Sequence, residues 1–350
     1  MVKVGSSLLV NSEGELRESW LASLAGDVAA LDSQVVIVSS GAIALGRKRL
    51  GLSDPLTLAG KQACASAGQS RLTQGYERAF SPRVCAQVLL TLNDTEDRRR
   101  WLNARNTFDA LLEQGAVPVV NENDTVATDE IRYGDNDRLA ARTAQLVGAD
   151  LLVLLSDIEG LYTADPRVSD AAQHIGIVKE MTPEIAGMGG GAGSAHGTGG
   201  MATKLMAARI SMAAGCDMVI HNGRAPHPLE RLADERHTLF RAPVRPASAR
   251  RQWIAGTLKP RGRVHIDAGA ARALADGNSL LLAGVARVDG TFNKGDAVDI
   301  LHDGILARGL ASYGSAEAAR ILGAQSGDIA AILGYTNGAA LVHRSNLAML

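Results

Sequence analysis

A chain of 350 residues is long enough for about two domains, and 46% apolar residues supply a sizeable core and exclude general disorder. The 36 basic and 37 acidic residues leave a formal charge of -1, which excludes the strongly basic surface of a nucleic-acid protein and an acidic solvating tail alike. No apolar run reaches the roughly eighteen residues that a membrane-spanning helix needs, so no membrane partner is expected.

From the N-terminus, short β-branched runs alternate with helix-length segments. The predicted strands are Val2–Val4, Val35–Val38, Val84–Leu92, Val117–Val120, Leu151–Leu155 and Met218–Ile220. The predicted helices are Leu16–Leu31, Leu58–Phe80, Arg98–Glu113, Asp137–Val147 and Thr203–Ala214. Continuous apolar strands separated by helices predict an α/β fold with a mainly parallel open sheet covered on both faces, a three-layer sandwich. Ligands of such sheets lie beyond the carboxyl ends of the strands. Those ends read Gly5-Ser6-Ser7, Ser39-Ser40-Gly41, Asn121-Glu122-Asn123-Asp124 and Ser156-Asp157.

The texture then changes. Five prolines fall between Pro226 and Pro260, and residues 243–258 read as a linker between a domain of residues 1–242 and one of residues 259–350. In the second domain, strands are predicted at Gly262–Ile266, Ser279–Leu282, Ala297–Ile300, Ile305–Leu310 and Ala340–His343, a small barrel-like unit with glycine-centred turns. The three cysteines, Cys64, Cys85 and Cys216, show neither a disulfide framework nor C-x-x-C spacing, and no metal ligands are assigned. The opening Met1-Val2-Lys3-Val4-Gly5 has no apolar signal region, and a reduced, cytoplasmic location is expected.

Four constellations carry potential chemistry. Residues 187–200 hold eight glycines and lead through Met201-Ala202-Thr203-Lys204 into a helix. A glycine run alone reads as a surface loop. Feeding a helix N-terminus, it exposes backbone N–H groups and a positive dipole end that suit phosphate, with Lys204 as an added point charge. The P-loop pattern is absent, and Gly197-Thr-Gly199-Gly-Met-Ala202 fits a dinucleotide fingerprint only loosely, without a strand directly before it. Lys3 lies between two valines in a strand that should be buried. It is either an exposed terminal lysine or one that projects toward an anionic ligand. Asp124, Asp135, Asn136 and Asp137 exceed what helix capping requires. They suit a ligand's ammonium group, and one aspartate can hold two lysines in place. Ser156 and Asp157 follow an apolar strand, as a plain loop or as part of a nucleotide site.

Taken together, Val2-Lys-Val-Gly-Ser-Ser7, Ile37-Val-Ser-Ser-Gly-Ala-Ile43, Val120-Asn-Glu-Asn-Asp-Thr-Val126, Gly134-Asp-Asn-Asp137, Gly160-Leu-Tyr-Thr-Ala-Asp-Pro-Arg167 and Gly197-Thr-Gly-Gly-Met-Ala-Thr-Lys204 resemble the amino acid kinase family in order and spacing. The segment after Trp253, ending in Ala331-Ile-Leu-Gly-Tyr335 and Val342-His-Arg344, resembles a PUA domain. The resemblance covers nearly the whole chain. It implies transfer of the γ-phosphoryl group of ATP, with Mg²⁺, to the side-chain carboxylate of L-glutamate at the start of proline biosynthesis.

By the same resemblance, Lys3 and Lys204 stabilise the transferring group and Asp137 orients both. Ser40, Asp124, Asn136 and Asp135 bind glutamate. Ser156 and Asp157 (where Thr-Asp is common), with Thr198, Gly199, Gly200, Met201, Ala202, Thr203, Lys204 and Lys3, bind the nucleotide. The acceptor carboxylate is already ionised, so no general base is required. Further implications are inhibition by L-proline, transfer of the product to glutamate-5-semialdehyde dehydrogenase and a homo-oligomeric state. Alternatives within the fold act on acetylglutamate, aspartate, carbamate or UMP. An RNA-binding role, raised by the PUA resemblance, is disfavoured because Lys259–Leu350 carries nine basic and eight acidic residues, too even a balance for a phosphate-binding face.

Overall fold

The structure, a computed structural model, describes residues 1–126, 135–189, 200–256, 258–325 and 327–350, of Asp135 the backbone only. The chain divides into two compact units: Met1–Glu96 with Asn103–Arg245, and Asp97–Leu102 with Pro246–Leu350.

The strands of the first unit are β1 (Val2–Val4), β2 (Ile37–Ser39), β3 (Cys85–Leu90), β4 (Val117–Glu122), β5 (Leu151–Ser156), β6 (Leu161–Tyr162), β7 (His174–Ile175), β8 (Ile177–Val178), β9 (Asp217–Asn222) and β10 (His237–Phe240). Its helices are α1 (Ser6–Leu9), α2 (Glu18–Ala30), α3 (Ala42–Leu50), α4 (Leu58–Phe80), α5 (Leu92–Glu96), α6 (Arg98–Glu113, whose first turn counts with the second unit), α7 (Asp135–Val147), α8 (Pro183–Gly187) and α9 (Met201–Ala213). One eight-stranded sheet runs in the order β3-β4-β2-β1-β5-β9-β10-β8. The six strands from β3 to β9 are parallel, and β10 joins β9 antiparallel. β6 and β7 form a separate antiparallel ribbon.

Strand alternation sorts the side chains between two faces. Val2 and Val4 point into a core with Ile37, Val119, Val153 and Leu155, closed by Trp20, Leu21 and Leu24 of α2 and Leu72 and Tyr76 of α4. Lys3, between the two valines, points to the other face and meets Asp137 of α7. β1 lies between β2 and β5, and the chain crosses it between β4 and β5, so the sheet's switch point falls there. The crevice beyond the strand ends is where such sheets bind ligands.

The turn after β2 carries Gly41 at φ 101°, a left-handed conformation that favours glycine, and leads directly into α3. α3 and α4 touch backbone to backbone. A Cβ on Gly68 would stand 1.9 Å from the Ala42 carbonyl oxygen, and one on Gly46 would stand 1.7 Å from that of Cys64. These two glycines set how closely α3, and with it the Ser40-Gly41 turn, packs on α4.

In the second unit, β11 (Gly262–Ile266), β13 (Val285–Gly290), β14 (Ala297–Leu301), β15 (Ile305–Leu310) and β17 (Leu347–Met349) form a mixed five-stranded sheet, while β12 (Leu280–Leu281) pairs with β16 (Ala340–Val342). Helices α10 (Pro246–Gly256), α11 (Ala268–Ala275), α12 (Ser315–Arg320) and α13 (Ile329–Leu333) complete it. Val264, Phe292, Ile300, Tyr313, Ile321 and Val342 belong to its core.

Several elements differ from the sequence reading. The run predicted as Val84–Leu92 stops at Leu90, because the Thr91 amide and hydroxyl both donate to Asp94 Oδ2 at 2.7 Å and open helix α5. Much of the segment read as a linker is helix α10, whose Ile254 is fully buried in a cluster of the second unit. β13 and β17 were not anticipated: in Val285–Gly290 an arginine, an aspartate and a glycine interrupt the apolar pattern, and β17 has three residues. No helix among the described residues is long and apolar enough to cross a membrane.

Candidate active site

The centre of the site is one carboxylate shared by two lysines. Asp137, in the first turn of α7, is 1% exposed. Lys3 Nζ of β1 lies 2.6 Å from its Oδ1, and Lys204 Nζ of α9 lies 3.2 Å from its Oδ2. The Thr203 hydroxyl donates to Oδ2 at 3.0 Å. α7 and α9 pack side by side, which brings their first turns together. Burial alone would raise the Asp137 carboxyl, but the two ammonium groups outweigh it and hold it below its ordinary value.

Lys3 and Lys204 are themselves buried, at 8% and 7% exposure. Two lysines against one aspartate leave a formal charge of +1 in a place that water barely reaches. Lys204 also sits at the N-terminal end of its helix, where the dipole disfavours a cation. Both costs are relieved by an incoming anion. The first-turn amides of Met201 and Ala202 lie at the same helix end, behind Gly200. Thr198 and Gly199, assigned to the nucleotide by resemblance, lie outside the described residues, as does the Asp135 side chain.

On one side of the lysine pair stands a polar pair from distant segments: Asn136 Nδ2 donates to Ser40 Oγ at 2.6 Å. Asn136 precedes Asp137 on α7, and Ser40 directly follows β2, so the sheet and the helix hold this pair beside the charged cluster. Ser40 rests on fixed groups, since its carbonyl accepts from Ser39 Oγ at 3.1 Å and Ser39 in turn accepts from the fully buried Tyr76 hydroxyl at 3.0 Å. Asp124 stands two residues past the end of β4, which neighbours β2. Burial pushes its carboxyl up to about 6. Asn121, 2% exposed, donates to Gln69 of α4 at 2.7 Å. Gln69 and Tyr76 gave no signal in the sequence, where they read as ordinary residues of a long helix.

On the other side, Ser156 at the end of β5 donates to Asp157 Oδ1 at 3.2 Å. Arg224, just past β9, places its guanidinium 3.7 Å from Asp157 Oδ2. β5 and β9 are paired, with Ser156 opposite Asn222, so this charge partner becomes visible only once the strands are aligned.

Two other places carry less. A cleft of about 520 Å³ is lined by Gly14, Glu15, Lys48, Arg49, Arg71 and neighbours, none of them a candidate site residue. Its cations are already engaged, Lys48 by Glu15, Arg71 by Glu18 and Arg49 by the Ala67 carbonyl. Asp27, His227 and Glu230 gather three potential metal-ligand atoms. Asp27, however, accepts from His227 Nδ1 and from the Leu229 amide, both at 2.8 Å, and so acts as a clasp for a turn in which His227 adopts φ 56°.

The structure thus places a buried lysine pair with a net positive charge at the switch point of a mainly parallel α/β sheet. The chain belongs to the amino acid kinase family, whose model matches residues 1–222, and a PUA domain matches residues 262–333. The chain is 54% identical to a protein named glutamate 5-kinase from Paramagnetospirillum magneticum, over 100% of this chain and 97% of the relative. It is 57% identical to one of the same name from Caulobacter vibrioides, over 99% and 95% of the two chains. Among solved structures it shares the fold of a carbamate kinase from Giardia lamblia bound to AMP-PNP, with a TM-score of 0.50 at 16% identity, over 69% of this chain and 96% of that one.

Proposed function

We propose that this protein transfers the γ-phosphoryl group of ATP to the side-chain carboxylate of L-glutamate, giving L-glutamyl 5-phosphate and ADP. The observation that carries the reading is the buried Lys3–Asp137–Lys204 cluster with its uncompensated positive charge. The names of the full-length relatives support glutamate as the acceptor.

In the reaction, a carboxylate oxygen of glutamate attacks the γ-phosphorus. An O–P bond forms there as the bond from γ-phosphorus to the β,γ-bridging oxygen breaks, and its electron pair leaves with ADP. The acceptor is ionised, so no proton has to be removed. The work of the protein is positioning and charge neutralisation. Lys3 and Lys204 face the transferring oxygens, and Asp137 fixes both ammonium groups so that they need not reorganise. The α9 amides and Lys204 hold the phosphate chain, with Ser156 and Asp157 toward the nucleoside. Ser40, Asn136 and Asp124 take the α-carboxylate and ammonium of glutamate. Lys3 and Lys204 each engage one oxygen of Asp137, so Mg²⁺ is placed on the phosphates of ATP, where it would add further charge neutralisation.

The product is an acyl phosphate prone to hydrolysis, which suits direct consumption by glutamate-5-semialdehyde dehydrogenase. L-Proline carries the same α-carboxylate and an ammonium nitrogen but no γ-carboxylate. In this reading it occupies the Ser40, Asn136 and Asp124 groups without being phosphorylated, and inhibits competitively with glutamate.

The test is hydroxamate formation from glutamate, MgATP and hydroxylamine, which traps an acyl phosphate. Turnover of acetylglutamate, aspartate, carbamate or UMP in place of glutamate overturns the assignment. Unchanged initial rates at millimolar proline discard the inhibitor, and inhibition indifferent to glutamate discards the shared site.

A further inference from the structure

Within the first unit, one buried hydroxyl joins three segments near Ser156 and Asp157. Thr238 of β10 is fully buried. Its Oγ1 accepts from the Leu161 amide at 2.7 Å and donates to the Ile175 carbonyl at 2.6 Å. Leu161 and Ile175 face each other across the β6–β7 ribbon, so one side chain ties both of its strands to the main sheet. Gly160, at φ 152°, fits closely against the same group. A Cβ there would stand 2.5 Å from Thr238 Oγ1 and 2.7 Å from His174 Nε2.

Strand register puts this contact on the face of the sheet that carries the lysine cluster. Lys3 pairs with Leu154, Leu154 with Ile220 and Ile220 with Thr238, and residues level across a sheet share a face. β9 stands between β5 and β10. Residues 157–160 therefore leave the end of β5, pass β9 and come down on that face at Thr238. Their near end is fixed at Ser156, whose carbonyl accepts from the Gly223 amide at 2.8 Å. Their far end is fixed by Thr238. The Arg236–Glu159 pair at 3.1 Å also touches this segment, but it is solvent-exposed and contributes little. A hydrogen bond in the buried interior is worth more, and its loss leaves the partner groups unsatisfied.

We propose that Thr238 is a positioning residue for the nucleotide: by holding Leu161 it fixes the path of residues 157–160, and with it the place of Asp157. That Asp157 lies toward the nucleoside rests on the function proposed above; the hold of Thr238 on the segment does not. Without the hydroxyl, the segment stays anchored at Ser156 but loses its far end. Asp157 then samples several positions, and the nucleotide binds only the fraction in the right one. Lys3, Asp137 and Lys204 are held by β1, α7 and α9 and keep their geometry. The effect therefore falls on nucleotide affinity and not on turnover at saturation.

The test uses the full chain with Thr238→Val, Thr238→Ser and Gly160→Ala. It reads MgATP affinity by titration calorimetry, steady-state kinetics with glutamate, and exchange of the Leu161 amide. Thr238→Val keeps the shape of the side chain. It is expected to weaken MgATP binding about five- to twentyfold and to raise exchange at Leu161, with kcat at saturating ATP and glutamate KM each within about twofold of the wild type. Thr238→Ser keeps the hydroxyl and restores MgATP affinity to within about twofold. Gly160→Ala presses a Cβ against the same oxygen from the loop side and is expected to weaken MgATP in the same way, so it carries the test if Thr238→Val does not fold. Unchanged MgATP affinity in the folded variants overturns the positioning role. So do equal losses for ATP and glutamate that serine does not rescue. A wild type that binds MgATP but leaves glutamate unphosphorylated refutes the acceptor proposed above, and the affinity response to Thr238→Val still decides the role of Thr238.

Discussion

Asp137→Asn separates the structural from the catalytic role of the central cluster. The substitution keeps the shape of the side chain and an acceptor for Thr203, but removes the carboxylate charge that two buried ammonium groups share at 2.6 and 3.2 Å. Removing one partner of a buried ion pair costs about 3–5 kcal/mol. For a unit of this size, 1 kcal/mol moves Tm by about 2–4 °C, so a drop of about 6–20 °C is expected. The wild-type carboxyl titrates below its ordinary 3.8, so its stabilisation is present above that pH and is lost as the solution is acidified through the folded value. The variant lacks this component and its Tm falls less on acidification.

Lys3→Met gives the contrast. It takes the formal charge of the cluster from +1 to 0 and leaves Asp137 paired with Lys204. Stability should stay within about 1 kcal/mol of the wild type, while kcat falls about a hundredfold or more. The assays are calorimetric unfolding with and without ATP, and steady-state turnover of glutamate. ATP should raise the Tm of Asp137→Asn more than that of the wild type, because its phosphates supply the missing negative charge. A Tm for Asp137→Asn within 2 °C of the wild type, on the order of 1 kcal/mol or less, would refute the electrostatic account. Normal turnover in folded Lys3→Met would refute the transition-state role.

Asp124 should make glutamate binding pH-dependent. With its carboxyl raised to about 6, the ionised form that grips an ammonium group is depleted below that pH. Glutamate KM should therefore rise on acidification with ATP KM steady, and Asp124→Asn should flatten the profile at a high KM. The same shift means that Asp124 favours the folded state most below its ordinary 3.8 and loses that contribution as pH rises through about 6. Asn136→Ala should raise glutamate KM more than it lowers kcat, because Asn136 contacts Ser40 and not the lysines; an equal loss in kcat with unchanged KM would assign it elsewhere. Gly68→Ala places a Cβ 1.9 Å from the Ala42 carbonyl oxygen, which α3 can relieve only by moving. It should cost about 1–3 kcal/mol in thermal unfolding and raise glutamate KM by shifting Ser40, whereas wild-type values in both would show that α3 adjusts without cost.

The parallel sheet was legible because its strands are short apolar runs, and the lysine and aspartate positions were legible because they break those patterns. A lysine between Val2 and Val4 left two readings, an exposed terminal lysine or one with an anionic partner, and its contact with Asp137 decides for the second. What stayed hidden is whatever depends on pairs far apart in sequence. Gly46 and Gly68 drew no reading from the sequence, and only their contact shows that they position the Ser40 turn. Trp101, Leu102 and Arg105 fall within the predicted helix Arg98–Glu113, which was placed whole in the first domain. A division of the chain at a proline-rich segment assumes that each domain is continuous in sequence, and residues 97–102 violate that assumption. Leu102 and Arg105 are three positions apart and so lie on one side of α6, yet they serve different units. Leu102 joins a cluster of the C-terminal unit and Arg105 donates to the Leu146 carbonyl of the first, partners that no periodicity in a single sequence could reveal.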